Sequence, residues 1–145
     1  CRRYYRMSGT NWSADIADMH KRFGVTEWLE ANKDNKELMQ NYLDFRLSMV
    51  GEEYEETLQA IQDKDPEEIV DGLIDMCVFA IGTLDLMGVD ANKAWKKVYR
   101  ANMIKTPGVK PGRPNTFGLP DLIKPEGWKA PSHADNHGHL TDIVK

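Results

Sequence analysis

Cysteine and long apolar runs are both scarce in this chain of 145 residues. Its two cysteines, Cys1 and Cys77, are too few for a disulfide framework, which indicates a reduced, cytoplasmic protein. No run approaches about 18 uninterrupted apolar residues, so we predict no membrane span and no membrane partner. The net charge of -4 argues against a nucleic-acid polymer as partner, because such binders normally carry a basic stripe.

Proline is distributed unevenly and divides the chain. Six of the seven prolines lie beyond Thr106, where they exclude a continuous helix because proline has no amide hydrogen to donate. We therefore predict three parts. Residues 1–12 are an N-terminal extension of a kind that a tag would leave, residues 13–106 are a helical domain, and residues 107–145 are an extended Pro/Gly-rich arm with a mobile C-terminus.

Apolar residues in the middle part follow helical spacing, and nothing there alternates as a strand would. The predicted fold class is all-α, a helical bundle. The predicted helices are Ser13–Phe23, about Asp34 or Asn35 to Gln62, Pro66 to about Met87 and Ala91 to about Met103, with Trp28 and Leu29 in a packed connection.

Four glutamates lie close together on the second predicted helix. At about 100° per residue, Glu53 falls about 50° from the centre of the apolar face and Glu56 at its edge. Glu52 lies further round, and Glu55 points nearly opposite, toward solvent. A merely solvated acidic face would not place Glu53 inside the apolar stripe.

The third predicted helix is apolar on nearly every side except for one acidic strip. Glu68, Asp71 and Asp75 lie within about 60° of each other on it. Buried carboxylates are costly unless they are paired or bind a metal, and Mg²⁺ prefers oxygen ligands. The pattern therefore predicts a metal site between the two helices, unless basic side chains pair with the acids instead. The basic candidates are Arg46, Lys96, Lys97 and Arg100.

The apolar surface of the third helix also bears on assembly. So few helices in one chain hardly supply cover for a helix that is hydrophobic all round. We therefore expect a homo-oligomer, a dimer or a tetramer, in which a second copy completes the bundle.

An ordered set of motifs resembles the MazG-type all-α nucleoside triphosphate pyrophosphohydrolases, whose signature is ExxE, a spacer and ExxD. The resemblance is closest to the phage-encoded MazG-like proteins and to the related phosphoribosyl-ATP pyrophosphatase-like group. It covers about Phe23 to Lys105. The matching elements are Glu53-x-x-Glu56, Arg46-Leu47, Ala60, Asp71-Gly-Leu-Ile-Asp75, Gly82, Gly88-Val89-Asp90 and Val98-Tyr-Arg-Ala-Asn102-Met-Ile-Lys105.

This resemblance implies an activity and a site. The reaction is hydrolysis of a nucleoside or deoxynucleoside triphosphate to the monophosphate plus pyrophosphate, in the cytoplasm, or in the host cytoplasm for a phage-encoded protein. Mg²⁺, with Mn²⁺ as a substitute, is the implied cofactor. Glu53 and Glu56 are the implied catalytic residues. The implied metal ligands are Glu53, Glu56, Asp71 and Asp75, and the implied substrate-binding residues are Asn102 and Lys105.

One position departs from the signature. The glutamate of ExxD should lie three residues before Asp75, where the chain has Gly72. Either Asp71 substitutes from one residue earlier, or Glu68-x-x-Asp71 is the literal motif with a shorter spacer. We favour Asp71 with Asp75, leaving Glu68 as an outer ligand.

Three other functions remain open on the sequence. The first is a phosphoribosyl-ATP pyrophosphatase, which would share the acidic helices and the metal. The second is a non-catalytic helical interaction module whose acids are salt-bridged. The third is a nucleotide-binding regulator that keeps the site without turnover.

Overall fold

The computed structural model describes residues 10–113 and 115–144. The chain divides into two compact units, which we call the first unit (residues 1–91 and 137–145) and the second unit (residues 92–136). The predicted all-α fold is confirmed, since helices dominate the described residues. The helices are α1 (Trp12–Arg22), α2 (Val25–Asn32), α3 (Lys36–Gln62), α4 (Pro66–Leu86), α5 (Ala91–Met103) and α6 (Leu140–Ile143).

The helix ends follow from local side-chain chemistry. Asn35 accepts a hydrogen bond from the Leu38 amide (3.1 Å) at the start of α3, and Asp65 accepts one from the Glu68 amide (3.2 Å) at the start of α4. These caps satisfy amides that have no partner inside the helix. After α4, Gly88 adopts a left-handed conformation (φ 72°) that ends the helix.

The core of the first unit lies between the start of α3, the end of α4 and the end of the chain. Met39, Leu86 and Met87 are fully buried, and Leu29, Val89 and Ile143 join them. Ile143 belongs to α6, a segment that we expected to be mobile. Instead, the His139 amide donates to the Met87 carbonyl oxygen (2.7 Å), which fixes α6 beside the end of α4.

Helices α3 and α4 pack along each other as an antiparallel pair, yet much of their apolar surface stays exposed in the single chain. Val70, Leu73 and Ile74 of α4 are between 44% and 59% exposed. Leu47, Tyr54 and Ile61 of α3 are between 51% and 58% exposed. The chain alone therefore does not cover the apolar helix.

The second unit consists of most of α5 and a short antiparallel strand pair, β1 (Thr106–Gly108) and β2 (Asp121–Ile123). Thr106 pairs with Ile123 and Gly108 with Asp121. The indole nitrogen of Trp128 donates to the Ala101 carbonyl oxygen (2.7 Å), which ties the segment after β2 to α5.

One local prediction was wrong. Trp28 and Leu29 do not form a connection but lie within α2, which starts after Gly24 in a left-handed conformation (φ 79°). The arm also contains β1 and β2, which are too short to show an alternating pattern. Of the predicted extension 1–12, residues 1–9 lie outside the described residues, while Trp12 begins α1.

No single helix among the described residues is long and apolar enough to cross a membrane, although α4 and α5 taken together pass the same test of length and composition as a bent pair.

Candidate active site

Glu53 is the most buried of the four clustered glutamates of α3, as helical geometry predicts. Glu53 is half-buried, whereas Glu52, Glu55 and Glu56 are exposed. Two residues on the buried face of α3, Thr57 and Ala60, lie on either side of the direction in which Glu53 projects. Glu53 is therefore the acid of this helix that lies nearest the α4 interface.

The acids Glu68, Asp71 and Asp75 of α4 also differ in burial. Asp75 is half-buried, and Glu68 and Asp71 are exposed. Asp75 sits between two cavity-lining residues, Ile74 and Cys77, in the middle of the helix. Of Glu68, Asp71 and Asp75, it is thus the acid that is most buried.

The acids of both helices act on Glu53 electrostatically. Burial raises the pKa of the Glu53 carboxyl above its usual value, and the charge of Asp75 on the facing helix raises it further. The charges of Glu56, Glu52 and Glu68 add to the same effect. A carboxylate surrounded by like charges holds its proton more tightly, because ionising it adds another negative charge to the group. Glu53 is therefore the electrostatic centre of the acidic group.

Basic side chains do not neutralise this group. Among the residues that the structure describes, no ion pair joins Lys, Arg or His to any of the five carboxylates. Arg46, the strongest candidate, is 8% exposed and binds elsewhere: its guanidinium donates to Thr83 Oγ1 (3.2 Å) and to the Phe79 carbonyl oxygen (3.3 Å). The salt-bridged alternative therefore lacks the pairs it requires. The five carboxylates are Glu53, Glu56, Glu68, Asp71 and Asp75.

A metal would still have to draw these side chains together. Across residues 10–113 and 115–144, no three His, Cys, Asp or Glu side chains converge closely enough to hold a metal ion as they stand. The donor chemistry nevertheless fits Mg²⁺, because the group consists of carboxylates alone and carries negative charge that no described cation offsets. The fit concerns the kind of ligand, and the assignment of individual ligands stays a prediction.

The missing glutamate at position 72 has a steric explanation. Gly72 is buried against α3, and a Cβ atom there would overlap Thr57 Oγ1. Thr57 is fixed in turn, since its hydroxyl donates to the Glu53 carbonyl oxygen (2.6 Å). A side chain at position 72 would push the two acid-bearing helices apart, so an acid of α4 must come from a neighbouring position.

A cavity of about 300 Å³ lies between α1 and α4. Its lining is mainly apolar, with one carboxylate and one thiol. The α1 residues of this lining were not predictable, because a tryptophan and an aspartate at the start of a short amphipathic helix carry no motif. The lining residues are Trp12, Asp15, Ile16, Met19, Ile74, Cys77 and Val78.

A buried polar cluster lies two turns further along α4, also unpredicted. His20 Nδ1 and Asp85 Oδ2 are 2.7 Å apart, and His20 is buried. A Cβ atom on Gly82 would lie 2.6 Å from an Arg46 guanidinium nitrogen and 3.2 Å from the His20 ring. Gly82 therefore leaves room for Arg46 and His20 beside α4. Through these two side chains, α3 and α1 both contact α4.

The predicted substrate-binding residues lie in the second unit. Asn102 is half-buried near the end of α5, and Lys105 is half-buried just before β1. The Lys105 ammonium lies 5.0 Å from the centre of the Trp128 ring. Their contact with substrate stays a prediction.

Comparison with known proteins gives one family. The sequence profile described as phosphoribosyl-ATP pyrophosphohydrolase matches residues 18–102, which is more than half of the chain. A search of curated proteins finds no match, and neither does a search of solved structures. The match includes all five carboxylates and Asn102, and it ends before Lys105.

Proposed function

Because the chain belongs to the phosphoribosyl-ATP pyrophosphohydrolase family, whose members are hydrolases of acid anhydrides, we propose that it is a Mg²⁺-dependent nucleoside triphosphate pyrophosphohydrolase. It would convert a nucleoside or deoxynucleoside triphosphate to the monophosphate and pyrophosphate. The observation that carries this proposal is the half-buried Glu53, whose pKa is raised by burial and by acids on both helices. Perturbed carboxylates of this kind are typical of functional sites.

The metal would be held by carboxylates of both helices. Glu53 and Glu56 would contribute from α3, and Asp71 and Asp75 from α4, with Glu68 as a further candidate. Bound Mg²⁺, or Mn²⁺ in its place, would supply charge neutralisation for the phosphate oxygens. The absence of paired cations around these acids supports this role, because their charge is otherwise uncompensated among the described residues.

The chain's own residues would manage the proton and the water. Glu53, with its raised pKa, holds a proton more readily than an exposed glutamate and gives it up once positive charge enters the site. Glu56 or Glu52 would orient a water molecule and accept its proton as its oxygen attacks the α-phosphorus. The bond to the β-phosphate oxygen then breaks, and pyrophosphate leaves.

The cavity beside α4 suits the nucleoside. It is apolar, it adjoins the helix that carries Asp71 and Asp75, and the Trp12 ring offers a surface for a base to stack on. Asp15 at its edge could accept a hydrogen bond from an exocyclic amino group or from a sugar hydroxyl. Asn102 and Lys105 would bind the sugar or phosphates.

A second substrate, phosphoribosyl-ATP, is favoured by the description of the matching family. Its hydrolysis breaks the same kind of phosphoanhydride bond, and the same carboxylates would serve it. A substrate panel separates the two.

The protein would act as a homo-oligomer in the cytoplasm, a dimer or tetramer. The exposed apolar side chains along α3 and α4 support this, because a soluble monomer rarely leaves such a surface uncovered. No membrane or nucleic-acid polymer is proposed as a partner.

The test is a panel of nucleoside triphosphates, deoxynucleoside triphosphates and phosphoribosyl-ATP, incubated with Mg²⁺ and assayed for pyrophosphate and the matching monophosphate. We expect turnover that EDTA abolishes. Turnover of phosphoribosyl-ATP alone would assign the second substrate. No turnover of any compound, together with no rise in Tm on adding Mg²⁺, would reject the enzyme proposal in favour of a non-catalytic module. Binding without turnover would point to a nucleotide-binding regulator.

A further inference from the structure

Charge is divided unequally between the two units. Residues 92–136 contain nine Lys and Arg against three Asp and Glu, a net charge of +6, although the whole chain carries -4. The remaining residues contain ten Lys and Arg against twenty Asp and Glu, a net charge of -10. The second unit is therefore a basic segment on an acidic protein, and such a segment favours anionic ligands.

Two lysines of the basic unit meet at one aromatic ring. The ammonium groups of Lys105 and Lys124 each lie 5.0 Å from the centre of the Trp128 ring. Since both distances are measured to the same point, the two ammonium groups can be no farther apart than twice that length. Cation–π attraction holds each lysine at the ring while its N–H groups remain able to donate.

These lysines flank the last residue pair of the β1–β2 ladder. Thr106 pairs with Ile123 in the β1–β2 ladder. Lys105 comes directly before Thr106, and Lys124 comes directly after Ile123. The two lysines therefore lie near each other at the end of the ladder, and like charges held close together repel. The Trp128 ring that both lysines contact is held in place, because its indole N–H donates to the Ala101 carbonyl oxygen (2.7 Å).

The acids of the second unit do not relieve this repulsion. Asp121 pairs with Arg113 (3.1 Å), and Asp135 pairs with Lys93 (2.8 Å) and Lys97 (2.9 Å). Glu126, the third acid, is exposed and forms no ion pair with a described residue. Within the described residues, neither Lys105 nor Lys124 has an ion pair or a hydrogen bond through its ammonium group. An external anion placed between them would supply what the unit lacks.

We propose that Lys105, Lys124 and Trp128 form an anion site that binds the pyrophosphoryl group of a nucleoside triphosphate or of the released pyrophosphate. A diphosphate has oxygens at both ends, so one group can accept hydrogen bonds from both ammonium groups. The two lysines supply the charge, and Trp128 positions them. The choice of a diphosphate rests on the proposed function, whereas the anion site itself rests on the lysine pair.

The experiment follows the Trp128 indole N–H by two-dimensional NMR in the ¹⁵N-labelled full chain, with EDTA present and ionic strength held constant. Trp128→Phe identifies the signal among those of the four tryptophans. Inorganic pyrophosphate and a non-hydrolysable triphosphate analogue should shift it saturably, and inorganic monophosphate should bind at least about tenfold more weakly. The triphosphate and pyrophosphate arms distinguish a substrate site from a product site.

Variants separate a built site from general positive charge. Lys105→Ala and Lys124→Ala should each weaken pyrophosphate binding at least about tenfold. Lys129→Ala, which removes an exposed lysine next to Trp128, should leave it unchanged. Equal weakening in all three variants, or a shift that never saturates, would overturn the proposal. Unchanged signals of the other three indoles show that a variant is folded. If Lys124→Ala does not fold, Lys124→Gln replaces it.

Failure of this site and failure of the proposed function give different results. Glu53→Gln should bind pyrophosphate at Trp128 normally while losing turnover. A wild-type protein with a saturable Trp128 shift but no turnover keeps the anion site without the hydrolase. Turnover with no Trp128 response rejects the anion site alone.

Discussion

Gly72 of α4 lies against Thr57 of α3 so closely that a single methyl group at position 72 would overlap the threonine hydroxyl. This contact sets the separation of the two helices that carry the acidic residues. It also excludes a glutamate at position 72, since that position faces the partner helix, and Glu68-x-x-Asp71 stays the alternative ExxD motif.

Gly72→Ala should therefore destabilise the protein, by about 1–3 kcal/mol as is typical of overpacking. Thr57→Ala removes the hydroxyl that the new methyl group would overlap, so the double variant should recover part of the loss. Chemical denaturation of the four proteins in a double-mutant cycle measures this coupling.

Gly51→Ala is the matched control. Gly51 also lies inside α3, but a Cβ atom there would have no neighbour within 4 Å. Alanine in an open helical position stabilises by about 0.4–1 kcal/mol. If Gly51→Ala and Gly72→Ala changed stability in the same direction, the helix contact would not be the cause of the Gly72 effect.

Glu53 should give the metal-free protein an unusual dependence on pH. Because its pKa is raised on folding, the folded state holds this proton to higher pH than the unfolded state does. Its contribution to stability is therefore greatest below the ordinary glutamate value of 4.5 and is lost as the pH rises through the folded pKa. Glu53→Gln should remove that loss and raise the Tm by up to a few degrees at neutral pH in EDTA.

The control for Glu53→Gln is Glu55→Gln, which changes an exposed glutamate two residues away. It should alter neither the Tm nor turnover, whereas Glu53→Gln should reduce turnover by about 100-fold or more. A Glu53→Gln protein that is less stable than wild type at neutral pH, in differential scanning calorimetry, would contradict the electrostatic assignment.

The α4 acids should differ in their importance for metal. Asp75 is half-buried and raises the pKa of Glu53, and exposed Glu68 adds to the same effect. Asp71 is exposed and is not among the charges that raise this pKa. We therefore expect Asp75→Asn to reduce the Mg²⁺-dependent rise in Tm more than Asp71→Asn does. If both variants reduced the Mg²⁺-dependent rise in Tm equally over a Mg²⁺ titration, Asp71 would be as important a metal ligand as Asp75.

Features that depend on local sequence were predictable, and features that depend on tertiary packing were not. The starts of α3 and α4 were predicted to within about one residue, because the capping that begins a helix is a local interaction. The greater burial of Glu53 among the clustered α3 glutamates was equally predictable from helical geometry. Trp12 and Asp15 were not, because the cavity exists only where α1 crosses α4. The docking of α6 was missed for the same reason, since only the folded chain brings Ile143 to Met39 and Leu86.

The cavity between α1 and α4 gives a further prediction, in which Cys77 serves as the reporter. Its thiol is free and lines the cavity together with Trp12. In a Cys1→Ser background, a bound non-hydrolysable nucleoside triphosphate should slow alkylation of Cys77 by about tenfold, whereas pyrophosphate alone should not, because it has no base to fill an apolar cavity. Trp12→Ala should abolish this protection and raise KM more than it lowers kcat.

Trp95→Ala is the control for Trp12→Ala, because Trp95 is a 61% exposed tryptophan of α5 that does not line the cavity. It should leave both the protection of Cys77 and KM unchanged. Equal protection of Cys77 by pyrophosphate and by the triphosphate analogue would mean that the thiol reports phosphate binding. The nucleoside would then have to lie outside this cavity.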